Sequence, residues 1–335
     1  MRKIYMLTMS LFVCMGAFAG NVNGTIGDNL QWTFTDDGTL TISGNGEMQH
    51  ADGNSVYAWG GENTRVNRND IKKVVVQEGV TSLAEYICWD FASLQEVTLP
   101  KSLTKLGKQC FKHCTTLKSI TLPDNITLID ESAFEECSTL ETVTFPKNLK
   151  DINAKAFYNC NLKKVDLSQT QVETIGMGAF AHNTQCKEAY LPKTLKTFFG
   201  NDEGAFGDCK IKKAVCLAVN PPQTLDGGED FINGGINMNP VDWVNIFTGF
   251  DEEFKLEVPA GSEDKYKSAD GWKNAASNIV TGIRGVKASQ GKVGVYDITG
   301  KRYMNHADAQ TVNTLQRGVY IINGKKVLVK AGSIN

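Results

Sequence analysis

Apolar positions along the middle of the chain recur with a period of 23 residues. One unit reads Leu117, Ile120, Leu122, Pro123, Phe134 and Cys137, and the next reads Leu140, Val143, Phe145, Pro146, Phe157 and Cys160. A fixed period of this length is typical of a protein in which each unit forms one coil and buries its apolar side chains against coils on both sides. The sequence therefore predicts a leucine-rich repeat solenoid.

The repeat pattern extends over residues 71–219 and is clearest at its phenylalanines. They stand at Phe111, Phe134, Phe157, Phe180 and Phe206, so the interval is 23 residues three times and then 26. We expect each coil of about 23 residues to hold a short β-strand, a second extended stretch and a helical turn, as in residues 118–122, 126–129 and 133–136.

Period-two alternation precedes the coils, in residues 20–70. Trp32 and Phe34 stand before the dipeptide Asp37-Gly38, and Leu40 and Ile42 follow it. Alternation on both sides of Asp-Gly predicts a hairpin, because glycine adopts the positive φ that the turn requires. Since the first coil needs a cover against water, we expect an N-terminal β-hairpin cap.

The pattern loosens in residues 220–283. Glycines, two prolines and scattered aromatic residues indicate an irregular insertion. We expect a last strand at residues 254–258 and then a closing helix, with Ser262 at its N-cap and with Tyr266 and Trp272 directed inward.

Residues 284–335 read as a separate unit. Two runs rich in β-branched residues, at 319–322 and 327–329, flank the dipeptide Asn323-Gly324. Asn-Gly between such runs is a strong hairpin signal. We therefore expect a small C-terminal antiparallel β-sandwich.

Residues 1–19 have the pattern of a secretory signal peptide, with a basic start, an apolar stretch and small residues at a cleavage site. Cys14 raises the alternative of a lipid anchor, although Val13 is not the small residue that lipidation usually follows. No later apolar run approaches the roughly 18 residues of a membrane-spanning helix. The formal net charge of −2 gives no reason to expect nucleic-acid binding.

The coil consensus, Leu-x-x-Ile-x-Leu-Pro with Ala-Phe-x-x-Cys, resembles the BspA-type bacterial leucine-rich repeats. Residues 27–33 and 37–44 resemble the N-terminal module common in that family, and residues 258–262 with Gly271-Trp272 resemble its usual solenoid ending. The final unit, at residues 295–301 and 318–326, resembles the C-terminal sorting tails of the type IX secretion system.

These resemblances imply a secreted or outer-membrane surface protein. They imply adhesion to host or bacterial surface proteins or to polysaccharides, export through the tail by the secretion machinery, and no catalytic residues or cofactor. A structural scaffold of the cell surface without a dedicated ligand is the alternative. A hydrolase is the third and weakest interpretation, because the sequence has no nucleophile motif.

Cysteines follow the coil period at Cys114, Cys137 and Cys160, with Cys209 in a later coil. Stacked coils bring equivalent residues to about 4.8 Å, a distance that permits a disulfide. Residues of one column point the same way, however, so we expect buried free thiols. The four histidines are scattered, and no metal site is expected. Acid pairs such as Asp130-Glu131 are interpreted as solvated charge at coil edges.

Ligand binding, if it uses the solenoid, should use the outward positions of the strands, because coils repeat them into columns over a broad face. The first half of these columns is neutral and rich in threonine, whereas the second half is rich in lysine around a tyrosine. The candidate ligand-binding residues are Lys163, Lys164, Asp166, Lys187, Tyr190, Lys212 and Lys213. Solubility alone also explains such lysines, and it is the favoured interpretation. The aromatic insertion from Phe231 to Phe250 is the other candidate, although Trp243 and Phe247 are expected to pack onto the last coil.

Overall fold

The computed structural model describes residues 22–48, 66–200, 204–226 and 246–281, and the backbone of five strands from residue 293 onward. The expected signal peptide, Cys14 and most of the aromatic insertion, including Trp243, lie outside the described residues. Among the described residues, no helix has the length and apolar character needed to cross a membrane.

Three N-terminal strands precede the coils: β1 (Val22–Ile26), β2 (Leu30–Phe34) and β3 (Thr39–Gly44). The pairs β1–β2 and β2–β3 are antiparallel, so the predicted hairpin around Asp37-Gly38 is confirmed, with one additional strand. In its turn, Asp37 Oδ1 accepts hydrogen bonds from Thr35 Oγ1 at 2.6 Å and from the Thr39 N–H at 3.0 Å.

Among the described residues, sixteen strands form the solenoid. They are β4 (Lys73–Val76), β5 (Ser82–Leu83), β6 (Glu96–Thr98), β7 (Lys105–Leu106), β8 (Ser119–Thr121), β9 (Leu128–Ile129), β10 (Thr142–Thr144), β11 (Asp151–Ile152), β12 (Lys164–Asp166), β13 (Thr174–Ile175), β14 (Glu188–Leu191), β15 (Thr197–Gly200), β16 (Lys213–Cys216), β17 (Gln223–Asp226), β18 (Lys255–Val258) and β19 (Ile279–Thr281). Even-numbered strands follow one another along a first ladder, which β19 ends; they pair in parallel as β4–β6, as β8–β10 and as β12–β14–β16–β18. Odd-numbered strands up to β17 follow one another along a second ladder and pair in parallel as β5–β7 and as β9–β11–β13–β15–β17.

The cap joins the first ladder directly. Strand β3 pairs in parallel with β4, so that Leu40 lies beside Val74 and Ile42 beside Val76. All four side chains are buried. The N-terminal strands therefore form one mixed sheet with the start of the solenoid, which covers the apolar end of the first coil.

A third column runs through the segments where the sequence predicted helical turns, and that prediction is wrong. The N–H groups of Gln109, Phe111 and His113 donate to carbonyl groups of the next coil. Gln109 and His113 have φ values of 53° and 64°, in the left-handed region. An α-helix would use these donors within its own coil, whereas alternating φ values direct them along the solenoid axis.

The same two positions of successive coils are left-handed throughout. They are Tyr86 and Asp90, Gln109 and His113, Ser132 and Glu136, Lys155 and Asn159, Gly178 and His182, and Gly204 and Asp208. His113 and His182 both belong to this column. A backbone ladder of turns thus accompanies the two strand ladders and connects every described coil to its neighbour.

Stacked phenylalanines fill the interior. Successive rings of Phe111, Phe134, Phe157, Phe180 and Phe206 have centroids 5.1–5.4 Å apart. Phe247 adds a further ring 5.3 Å from Phe206, so the coil pattern resumes after the insertion. The predicted packing of Phe247 onto the last coil is therefore confirmed.

A second interior column contains the thiols. Cys137 Sγ donates to the Phe111 carbonyl at 3.0 Å, and Cys160 Sγ donates to the Phe134 carbonyl at 3.1 Å. The eight described cysteines are all buried and free, as predicted. In the coil after Cys160 the position is occupied by Asn183, a buried residue whose Nδ2 donates to the carbonyls of Phe157 and Phe180, both at 2.8 Å.

The far end of the solenoid is closed by helix α1 (Glu263–Ser268) and a 3₁₀-helix (Lys273–Asn278). Tyr266 and Trp272 are fully buried, as predicted, and donate to the carbonyls of Ala218 and Pro222 at 2.7 and 2.9 Å. Ser262 precedes the helix but its side chain makes no capping hydrogen bond. Strand β19 follows, so residues 254–258 are not the last strand of the ladder.

The final unit contains β20 (Val293–Asp297), β21 (Arg302–Ala307), β22 (Gly318–Ile322), β23 (Lys325–Lys330) and β24 (Ser333–Ile334). The strands form one antiparallel sheet in the order β21-β20-β22-β23-β24. Strands β22 and β23 pair across Asn323-Gly324, as that dipeptide predicted. In the described backbone this unit is a single sheet and not the two packed sheets of a sandwich.

Candidate functional surface

The outward positions of the first ladder form a surface that we call the ladder face. Pairing in register within β4–β6, β8–β10 and β12–β14–β16–β18, together with the repeat of the coils between these groups, places equivalent residues in two columns. One column is Lys73, Glu96, Ser119, Thr142, Lys164, Glu188, Lys213 and Lys255, and the other is Val75, Thr98, Thr121, Thr144, Asp166, Tyr190, Val215 and Glu257. Adjacent strands lie about 4.8 Å apart, so side chains of one column are close enough to act together.

Four of the candidate residues, Lys164, Asp166, Tyr190 and Lys213, lie in these columns, and the other three directly precede the strands β12, β14 and β16. We call the seven residues together the charged half. Strands β12, β14 and β16 are neighbours, and Asp166 lies beside Tyr190. Lys163 and Lys187 are adjacent through a backbone hydrogen bond, as are Lys187 and Lys212. The spacing argument therefore grouped these residues as neighbours, but Lys163, Lys187 and Lys212 lie just before the strands and not on them.

Acidic partners compensate most of the lysines of the charged half. Lys164 Nζ lies 2.9 Å from Asp166 Oδ2, and Lys213 Nζ lies 2.9 Å from Glu257 Oε1. These hydrogen-bonded carboxylates raise the pKa of both lysines. The charged half is thus a surface of ion pairs, whereas the lysine content of the sequence suggested a positive one.

Two further lysines are paired with acids that the sequence analysis had not connected to them. Lys163 Nζ lies 2.5 Å from Glu141 Oε2, and Lys212 Nζ lies 3.2 Å from Glu253 Oε2. Glu253 is 41 residues from Lys212 because the insertion separates their coils. Glu141 stands about one repeat before Lys163, so the repeat could have indicated that ion pair. The separation of Lys212 and Glu253 does not match the repeat, so the repeat could not have indicated the second pair.

Tyr190 lies at the centre of the charged half. Lys164 Nζ is 4.4 Å from the centroid of its ring, which is a cation–π distance. The Tyr190 hydroxyl donates to Glu188 Oε2 at 3.0 Å. Partial burial and this carboxylate raise the pKa of Tyr190. The ring is therefore held in place while part of it remains accessible.

The other half of the ladder face carries hydroxyl groups, and we call it the hydroxyl half. It consists of Thr98 on β6, Ser119 and Thr121 on β8, and Thr142 and Thr144 on β10, all of them exposed. Thr142 lies beside Ser119 and Thr144 beside Thr121. The sequence analysis noted the threonines but assigned them no role.

The remaining titratable groups have structural surroundings. Burial raises the pKa of the Cys186 thiol to about 12 and of Cys216 to about 11, so both are protonated at neutral pH and poor nucleophiles. Glu131 and Glu135 are not simply solvated, because they pair with Lys108 at 3.2 Å and Lys112 at 2.7 Å. Within the described ranges, no three His, Cys, Asp or Glu side chains are placed to hold a metal ion.

Comparison with known proteins supports the repeat assignment. Residues 61–168 and 104–219 match the family described as BspA type Leucine rich repeat region, in 6 copies. The matched stretches cover just under half of the chain and include most of the solenoid. No curated protein matches the chain.

Among the solved structures similar to the chain are three leucine-rich repeat proteins. The Treponema pallidum leucine rich repeat protein TpLRR is 24% identical, with 56% of this chain and 83% of that chain covered and a TM-score of 0.40. A leucine-rich repeat protein from Bacteroides ovatus is 20% identical, with 69% and 60% covered and a TM-score of 0.44. A leucine rich cell surface protein from Faecalibacterium prausnitzii is 16% identical, with 78% and 96% covered and a TM-score of 0.32. Similarities at this level carry no argument about function.

Proposed function

We propose that this chain is a non-enzymatic adhesion protein, secreted or displayed at the bacterial surface, that binds surface proteins or polysaccharides of a host or of neighbouring cells. The match of residues 61–219 to BspA-type repeats supports the proposal. The observation that carries it is the ladder face, which presents two columns of side chains over successive coils. Such extended surfaces are the usual binding sites of solenoid proteins.

The charged half is the part of this surface that we assign to a protein partner. Its seven residues combine exposed ion pairs with Tyr190, and tyrosine is enriched among the residues that contribute most to interfaces. Lys164, Asp166 and Glu188 surround the ring and can exchange their present partners for groups of a docked protein. Because the charges are paired, salt should weaken this binding only modestly.

A binding assay with the full chain tests the proposal. Fibronectin, fibrinogen, collagen and laminin would be immobilised, and binding measured at roughly 50 and 500 mM NaCl. We expect saturable binding to at least one of them and a loss of about tenfold or more in the double variant K164A/Y190A. The matched control is K101A/K105A, which removes two lysines outside the first ladder. Equal binding by both variants would refute the assignment to the charged half.

Export is the second part of the proposal. The sequence of residues 295–301 and 318–326 resembles type IX sorting tails, and residues 1–19 resemble a signal peptide. We propose that both direct the protein to the cell surface. In a bacterium with type IX machinery, the full chain should be sensitive to external protease, whereas deletion of residues 284–335 should leave it in the periplasm. Surface exposure of the truncated chain would contradict this.

A further inference from the structure

We infer that the hydroxyl half of the ladder face is a separate binding site for a neutral polysaccharide. The inference rests on the proposed use of the ladder face for binding, and it assigns a ligand class to residues that lie outside the charged half. Five exposed hydroxyl groups on three neighbouring strands form the site: Thr98, Ser119, Thr121, Thr142 and Thr144.

Hydrogen-bonding capacity is the first argument. Several other hydroxyl groups of the coils are used internally: Ser102 donates to the Val80 carbonyl at 2.9 Å, Thr104 to Thr81 at 3.0 Å, and Thr139 to Thr115 at 2.9 Å. The hydroxyls of the hydroxyl half make no hydrogen bond to any part of the chain that the structure describes. They are therefore available to an external partner.

The contrast with the charged half strengthens this argument. There, Lys164, Lys213 and the Tyr190 hydroxyl each have a partner within the protein. A ligand of the charged half must replace existing contacts, whereas a ligand of the hydroxyl half replaces only water. Each hydroxyl can donate one hydrogen bond and accept others, so the surface favours a partner that also does both.

Charge complementarity selects the partner. The five residues carry no charge, and two of the bordering acids are neutralised: Glu96 pairs with Lys73 at 2.8 Å and Glu141 with Lys163 at 2.5 Å. The Lys118 side chain, beside Ser119, makes no ion pair with the described residues. An ionic polymer would find little to pair with here, whereas a neutral glycan supplies donors and acceptors without charge.

Shape points to the same class. Side chains stand about 4.8 Å apart between the paired strands β8 and β10 and about 6.6 Å apart along each strand, in an open array. Threonine presents a methyl group beside its hydroxyl, and a sugar ring likewise alternates C–H and O–H groups. An extended glucan chain can therefore lie across several coils and repeat the same contacts.

The experiment measures retention of the full chain on insoluble cellulose, starch and cross-linked dextran, with carboxymethyl cellulose as the anionic counterpart of the first. We expect retention on at least one neutral glucan that is unchanged between roughly 50 and 500 mM NaCl. The double variant T121V/T144V removes two hydroxyls and keeps the side-chain shape, so binding should weaken by roughly tenfold or more. Unfolding temperatures of all variants are measured to confirm folding.

Two matched controls separate this inference from the proposed function. The variant T25V/T127V removes two exposed hydroxyls outside the ladder face and should bind glucan normally. The variant K164A/Y190A should lose matrix-protein binding and keep glucan binding. If T121V/T144V binds glucan as well as the original chain does, if carboxymethyl cellulose is preferred in a salt-sensitive way, or if no neutral glucan retains the chain, the inference is overturned. Matrix-protein binding would stand in each case.

Discussion

The interior columns and the ladder face repeat with the same period but tolerate very different variation. Inside, the phenylalanine column is nearly uniform, with ring centroids 5.1–5.4 Å apart from Phe111 to Phe206. Outside, one column changes from threonine at Thr144 to Asp166 and then to Tyr190. Interior side chains must fit both neighbouring coils at close-packed density, whereas exposed ones meet water on one side.

The exceptions inside show the same constraint. In the first coil Cys88 occupies the phenylalanine position and Phe91 the cysteine position, both buried, so the two residue types are exchanged and their combined volume is kept. No such compensation is required on the ladder face. Interior repetition therefore specifies the fold, and the outer columns are free to carry binding specificity.

The largest expected effect comes from breaking the phenylalanine column. Phe157 stacks between Phe134 and Phe180, so Phe157→Ala leaves a cavity in the middle of the solenoid and should lower the free energy of unfolding by about 3–5 kcal/mol. The control Thr121→Ala on the ladder face should change the free energy of unfolding by about 1 kcal/mol at most. Chemical denaturation measures both. Similar losses in the two variants would contradict the comparison.

A smaller effect is expected at Asn183. Its Oδ1 accepts from the Leu162 N–H at 2.9 Å while Nδ2 donates to two carbonyls, so Asn183→Leu leaves buried backbone groups without partners. We expect a loss of about 2–3 kcal/mol in unfolding free energy. Asn183→Cys restores the donor of the thiol column and should lose less. If Asn183→Cys is less stable than Asn183→Leu, a thiol cannot replace the asparagine side chain at this position.

The turn column offers a test in the stabilising direction. Gln109 has a φ of 53°, and the equivalent positions of later coils are Gly178 and Gly204. Gln109→Gly removes the steric cost of the left-handed conformation and should raise the unfolding free energy by about 0.5–1 kcal/mol. Gln109→Ala keeps that cost and serves as the control. Equal stability of the two variants would show that the conformation is not strained.

The smallest effect is expected for ion pairs of the ladder face. A double-mutant cycle on Lys213 and Glu257, whose charged atoms lie 2.9 Å apart, should give a coupling energy of about 0.2–1 kcal/mol. The pair is partly exposed, and water and salt compete for both groups. A coupling above 2 kcal/mol would mean that the charged half contributes to stability as the interior does.

The solenoid, its period and the N-terminal hairpin were predicted from the sequence. So were the buried columns of phenylalanine and cysteine and the packing of Phe247, Tyr266 and Trp272. The sequence failed on the turns around Phe111, because local propensity does not show that Gln109 and His113 donate to the next coil. It grouped Lys164 and Lys213 correctly but missed Glu257, since the insertion shifts that acid out of the period. It also gave no sign that the hydroxyls of the hydroxyl half lack internal partners.

What the sequence determined by itself is the repeat and its interior, because apolar side chains at a fixed interval can be buried only by stacking equivalent coils. The tertiary structure decided which charges neutralise each other, where backbone donors find acceptors, and which polar side chains of the ladder face remain uncommitted. These outcomes depend on contacts between residues one coil or more apart. The ion pairs and hydrogen bonds are therefore determined by distances and directions between coils, which the residue types alone do not give.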